Sequence, residues 1–259
     1  MVTSVVVFLV VAYGATLLAV YVLQGRLIYP APPVRSDAPN GFEHVSYRTQ
    51  DGLALRAGYL PAREGRPTLL FFHGNGASWQ STSYVTADLV ARGFGVLAAE
   101  YRGYNDNPGS PSEAGLYRDG RAAYDFLLEK GISPGDIVLV GNSIGSGVAT
   151  HLATEVEARA LVLISPFDSL EETASRSLRW LPVRQLLRDR YDNAGKFAHL
   201  TLPILILHGE DDTLIALEQA EALASSHPDT RLVTYPGWGH DLVVHEPVQN
   251  EIAAFVSVS

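Results

Sequence analysis

The chain has 259 residues, 47% hydrophobic and 18% charged, enough for one large domain with a substantial core. Its formal net charge is −9 and no basic face stands out, which argues against nucleic acid as a partner. Cysteine is absent, so disulfides, thiolate metal sites and a cysteine nucleophile are excluded, while the compartment stays open.

From Val2 to Leu23 there is no charged side chain. At ~1.5 Å per residue the run reaches roughly 33 Å, against a hydrocarbon core ~30 Å thick. Tyr21 and Tyr29 fall where interfacial aromatics belong. Residues 1–28 therefore read as a transmembrane anchor, which makes a lipid bilayer an expected partner. A cleaved signal peptide fits less well, because no Lys or Arg precedes the run and no clear A-x-A site follows it. A buried core helix is the third reading. Arg26 and Arg35 follow the run and lean toward a cytoplasmic body, but two arginines leave the sidedness open. Residues 29–41, "YPAPPVRSDAPNG", form a Pro-rich connector.

The body, residues 42–259, alternates strand-like and helix-like segments. Residues 44–49 and 53–60 read as strands joined by a turn at Asp51-Gly52. Short apolar runs suited to buried parallel strands follow at 68–72, 95–99, 137–140, 161–164 and 204–207, with a shorter one at 232–235. Helical patterns lie between them at 80–91, 113–129, 146–157, 217–224 and 247–256. This rhythm predicts an α/β fold with an eight-stranded, mostly parallel sheet and helices on both faces. Residues 167–200 break the rhythm. They read as short helices inserted after one strand, either a lid over a site at the sheet's C-terminal edge or an ordinary excursion.

Within "DIVLVGNSIGSGVAT", Ser143 follows an apolar run and precedes a helical pattern, with Gly141, Gly145 and Gly147 around it. G-x-S-x-G alone is a weak signal. Between a strand and a helix it fits a nucleophile elbow, a sharp turn that crowds its neighbours and exposes the serine oxygen. A serine hydroxyl needs a base, and histidine has a suitable pKa. His240, in the Gly-rich "PGWGHDL", fits the order Ser, Asp, His expected for this elbow. His73 and His208 end apolar runs and read as buried residues that shape turns. The imidazole needs an acid to hold its tautomer. Glu210, Asp211 and Asp212 follow the run at 204–207. Three carboxylates in a row leave the choice ambiguous; Asp212 is preferred by chain order and depth in the loop, with Asp211 second. An oxyanion hole would use the backbone N–H of Ile144 and one from "FFHGNGAS", with Asn75 the natural donor and Gly76 nearby.

Together "LLFFHGNGAS", "AAEYRGYNDNPGSPSEAGLYRDGRAAYDFL", "VGNSIGSGVATHLA", "LVLISPFDSL", "LPILILHGEDD" and "YPGWGHDL" resemble the α/β-hydrolase superfamily. The likeness is to its serine-aminopeptidase-like branch, including members with an N-terminal membrane anchor. It implies Ser143 as nucleophile, Asp212 as acid, His240 as base, and Asn75 with Ile144 as oxyanion donors. Asn105, Asp106 and Asn107 depart from the pattern, since relatives often have glycines before "GSPSE". The expectation is a membrane-anchored serine hydrolase acting on a small-molecule or lipid-like acyl ester or thioester. An aminopeptidase-like amide hydrolase and a non-catalytic binding module are the alternatives. No H-E-x-x-H spacing occurs, and no cofactor or metal is expected.

Overall fold

The computed structural model describes residues 2–32 and 41–258. Most of the expected connector lies outside the described residues. Helix α1 (Val2–Ile28) comes first, followed by strands β1 (Glu43–Arg48), β2 (Ala54–Leu60) and β3 (Thr68–Phe72). Helices α2 (Trp79–Val85) and α3 (Ala87–Ala91) lead to β4 (Gly95–Ala99), and α4 (Glu113–Glu129) leads to β5 (Ile137–Asn142). Then come α5 (Ile144–Ala153) and β6 (Ala160–Ile164). The insertion holds α6 (Leu170–Ser177), α7 (Val183–Leu186) and α8 (Asn193–Phe197). Strand β7 (Ile204–Gly209), α9 (Leu217–Ser226), β8 (Thr230–Tyr235) and α10 (Glu246–Val258) complete the chain.

The eight strands form one sheet in the order β1-β2-β4-β3-β5-β6-β7-β8. The β1–β2 and β2–β4 pairs are antiparallel and the others parallel. Strands β3, β4 and β6 are buried along their whole length and, Thr68 apart, apolar, as helices on both faces require. Successive residues feed opposite layers. Leu70 and Phe72 pack with α4, α5 and α9, whereas Leu69 and Phe71 pack with Trp79, α3 and α10. Strands β3 to β8 all point the same way, so the loops after β3, β5 and β7 open on one edge of the sheet.

Two expectations are refined. The helix expected over residues 80–91 is broken at Thr86, between α2 and α3. Thr86 is fully buried and its hydroxyl donates to the Thr82 carbonyl at 2.7 Å, a back-bond that bends helices. The second refinement concerns residues 167–200. They do form short helices, and α7 with the segments flanking it packs along α1, while α8 packs on α5 and α9. The Tyr13 hydroxyl donates to the Trp180 carbonyl at 2.9 Å. Gln24 donates to the Leu186 carbonyl at 3.1 Å and accepts from the Arg188 N–H at 2.9 Å. Just past α1, the buried Tyr29 hydroxyl meets Asp189 at 2.9 Å and Tyr191 at 3.0 Å. Helix α1 is long and apolar enough to cross a membrane, with a mean hydropathy of 2.5 over its most apolar 18 residues.

Candidate active site

Strand β5 ends at Asn142 and helix α5 begins at Ile144, so one residue makes the turn. Ser143 has φ 52° and ψ −119°, a left-handed conformation that costs a non-glycine residue roughly 1–3 kcal/mol. Its N–H donates to the Ile164 carbonyl at 2.9 Å and its carbonyl accepts from Ser146 at 2.8 Å. The flanking glycines serve close approach. A Cβ on Gly141 would lie 2.4 Å from the Gly145 carbonyl oxygen, and one on Gly145 would lie 2.1 Å from that of Phe72. Both neighbours are backbone, so Gly145→Ala must push α5 away from β3. Chemical denaturation is expected to show a loss of about 3 kcal/mol. Gly135→Ala, where a Cβ meets nothing within 4 Å, is the control and leaves stability unchanged or slightly raised.

The loops after β5, β7 and β8 bring Ser143, Asp212 and His240 into one hydrogen-bonded chain. His240 Nε2 lies 3.0 Å from Ser143 Oγ, and His240 Nδ1 lies 2.8 Å from Asp212 Oδ2. The other Asp212 oxygen accepts the N–H groups of Leu214 and Ile215, each at 2.9 Å. Its neighbours behave differently: Asp211 is exposed, and Glu210 is exposed and accepts from Thr234 at 2.7 Å. Burial alone would push the Asp212 carboxyl up. The hydrogen bonds from His240, Ile215 and Leu214 outweigh burial and hold it below the usual carboxylate range. His208 is wholly buried under the same loop, with Nε2 2.9 Å from the Ile215 carbonyl. Burial lowers its pKa and favours the neutral ring.

Asn75 and Ser143 share one cavity of about 300 Å³ with His240. Phe71, Val85, Leu214 and Val243 give it an apolar lining. Ile144 opens α5, where the first N–H groups lack intrahelical acceptors. Gly74 is pressed against the elbow, since a Cβ there would stand 3.3 Å from Ser143 Cβ. The loop is held by Glu100, a buried carboxylate just after β4. Glu100 accepts from His73 at 2.8 Å and from the Trp79 N–H at 3.0 Å, and it also accepts from Asn105. Asn105 and Asp106 have φ 45° and 66°. Short polar side chains tolerate that region, so the loop makes its turn without glycine there.

Sequence reasoning passed over Glu100 and Ser165. A carboxylate directly after a buried apolar strand was the available signal for Glu100. Ser165, at φ 45°, donates through its hydroxyl to the His240 carbonyl at 3.3 Å. Nothing in its local pattern marks that contact, which joins residues 75 positions apart. Among the described residues lining the 300 Å³ cavity, none falls in the 167–200 insertion.

This chain and its fold have known counterparts. Residues 69–199 match a model described as the alpha/beta hydrolase family, and residues 183–247 match one for serine aminopeptidase, S33. The uncharacterized protein Rv2307c of Mycobacterium tuberculosis is 35% identical over 246 residues, covering 92% of this chain and 87% of that one. The lysophosphatidylserine lipase ABHD12 of Danio rerio is 33% identical over 62% of this chain and 47% of its own. The esterase Pf2001 of Pyrococcus furiosus superposes with a TM-score of 0.72 at 21% identity, covering 88% of this chain and 98% of that one. The superposition establishes the fold, and the family model together with the long match to Rv2307c establishes descent: this chain belongs to the α/β hydrolase family.

Proposed function

We propose that the chain is a membrane-anchored serine hydrolase that cleaves an acyl ester or thioester. In this reading residues 1–28 are the anchor, 29–41 the connector and 42–259 the hydrolase domain. The observation that carries it is the unbroken chain of hydrogen bonds from Ser143 through His240 to Asp212, at the wall of a cavity with one apolar side. Ser143 Oγ attacks the acyl carbonyl carbon while His240 Nε2 takes its proton. The N–H groups of Ile144 and Asn75 receive the developing oxyanion. The carbonyl re-forms as the bond to the leaving oxygen or sulfur breaks, and His240 passes its proton to that atom. Water, deprotonated by His240, then attacks the acyl-enzyme, releasing the acid and restoring Ser143.

A lipid-like acyl substrate is favoured by three observations. One side of the cavity is apolar, built from Phe71, Val85, Leu214, Val243 and Val244. The chain leaves α1 beside the site, because the Pro30 carbonyl lies 4.0 Å from where a Cβ on Gly76 would stand. The similar ABHD12 protein is named as a lysophosphatidylserine lipase. An alkyl fluorophosphonate is expected to label the wild type at Ser143 and to leave Ser143→Ala unlabelled. Acyl esters and thioesters of increasing chain length are expected to turn over faster than aminoacyl amides. Equal labelling of the alanine variant removes the serine mechanism, and turnover confined to amides reverses the substrate class.

A further inference from the structure

We infer that the insertion between β6 and β7 is a second bilayer-contact element. Trp180 and Leu178 enter the leaflet beside α1, while Arg176, Arg179 and Arg184 hold the phosphates of anionic lipids. The inference rests on the proposed role of α1 as an anchor.

The geometry ties the two elements together. The insertion touches α1 at Tyr13 and again at Gln24. Leu17, Val20 and Ile28 are partly covered on the same stripe, at the spacing of one helix face. Tyr13 stands fifteen residues before the end of α1, roughly 22 Å along its axis. A placement that sets Tyr13 at the hydrocarbon boundary, with residues 2–12 filling about 16 Å of one leaflet, brings the Trp180 backbone to that same boundary. The side chains there suit that depth. Trp180 is 58% exposed and Leu178 39% exposed, and indole is favoured at the membrane boundary.

The charge pattern points the same way. Residues 171–190 hold five arginines against Glu171, Glu172 and Asp189, a local positive excess in a chain whose net charge is −9. Arg176, Arg179 and Arg184 line one recess of about 400 Å³ with Leu181 and Pro182. Arg176 meets Glu172 at 3.0 Å, and Arg184 meets Glu171 at 3.4 Å and Glu172 at 3.5 Å, with the arginine side chains 46% and 68% exposed. Such pairs are weak in water and leave the cations free to exchange partners. Guanidinium groups match phosphate oxygens, and long arginine stems let the head reach the phosphate level while neighbouring apolar groups sit deeper. Arg188 already lies over the Tyr21 ring at 5.2 Å, which sets this basic strip along α1.

The test uses tryptophan fluorescence of the full chain in vesicles with brominated acyl chains. The vesicles are phosphatidylcholine alone or phosphatidylcholine with phosphatidylglycerol. Bromine is expected to quench wild-type emission, and Trp180→Phe is expected to lose most of that quenching while still entering the vesicles. Trp79 is buried and supplies an internal reference. Added phosphatidylglycerol is expected to raise the quenched fraction about twofold or more. The triple variant Arg176→Gln, Arg179→Gln, Arg184→Gln is expected to lose that increase. A chain that enters vesicles with Trp180 unquenched overturns the inference and leaves the anchor standing. A chain that does not enter vesicles overturns both. Quenching indifferent to phosphatidylglycerol overturns the role given to the arginines.

Discussion

Ser143→Ala is expected to lower kcat by about a million-fold, to the level left by binding and oxyanion donors alone. Ser143 Oγ is the only protein atom in the proposed sequence that forms a bond to the acyl carbon. His240 Nε2 faces that hydroxyl at 3.0 Å, and the alanine leaves it nothing there to activate. The alanine keeps the Cβ and the hydrogen bond from its backbone N–H to Ile164, so the elbow persists. The unfolding free energy is then expected to change by less than about 0.5 kcal/mol. His240→Ala is expected to cost a similar factor, and the double variant no more than either single one, because the two act as a unit. Steady-state kinetics on a short acyl ester checks this. Independent, multiplying losses would mean that the 3.0 Å contact is not the proton path.

The residues proposed to carry the chemistry were legible because local sequence constrains them. A turn of one residue between β5 and α5 demands small neighbours, and Gly141 and Gly145 reveal it without any tertiary information. Chain order then selected Asp212 and His240 from several acids and eight histidines. Parallel strands buried on both faces were equally visible as short apolar runs. What escaped depends on contacts between distant segments. The amphipathic mix of Trp, Leu and Arg at 178–190 fits a lid or a surface excursion equally well; only its hydrogen bonds to Tyr13, Gln24 and Tyr29 place it on α1. Ser165 resembles any polar residue after a strand until the His240 carbonyl is seen against it. At residues 105–107 the missing glycines looked like a departure in shape. Asn105 and Asp106 instead adopt the left-handed turn themselves, and Asn105 adds a hydrogen bond to Glu100 that glycine lacks.

Asp212→Asn is expected to lower kcat by about ten-thousand-fold while leaving the chain folded. The orientation of the new amide follows from its neighbours. One oxygen of Asp212 accepts two backbone N–H groups, from Leu214 and Ile215, so the amide oxygen must stay there. The NH₂ group then replaces the oxygen that faces His240 Nδ1 at 2.8 Å. Two donors cannot share that contact. The imidazole must present a lone pair at Nδ1 and carry its proton on Nε2, where it faces Ser143 Oγ and blocks the base from accepting. Fluorophosphonate labelling is expected to slow in parallel, because it uses the same proton transfer. Stability adds an independent readout. The native carboxyl sits below the usual range, so its stabilising contribution is complete above the unfolded value near 4 and is lost as pH falls through the lower native value. The stability gap between wild type and Asp212→Asn is therefore expected to be flat above about pH 5 and to close in acid. A gap that widens in acid, or a kcat loss under about tenfold, would mean that His240 takes its tautomer from a partner other than Asp212.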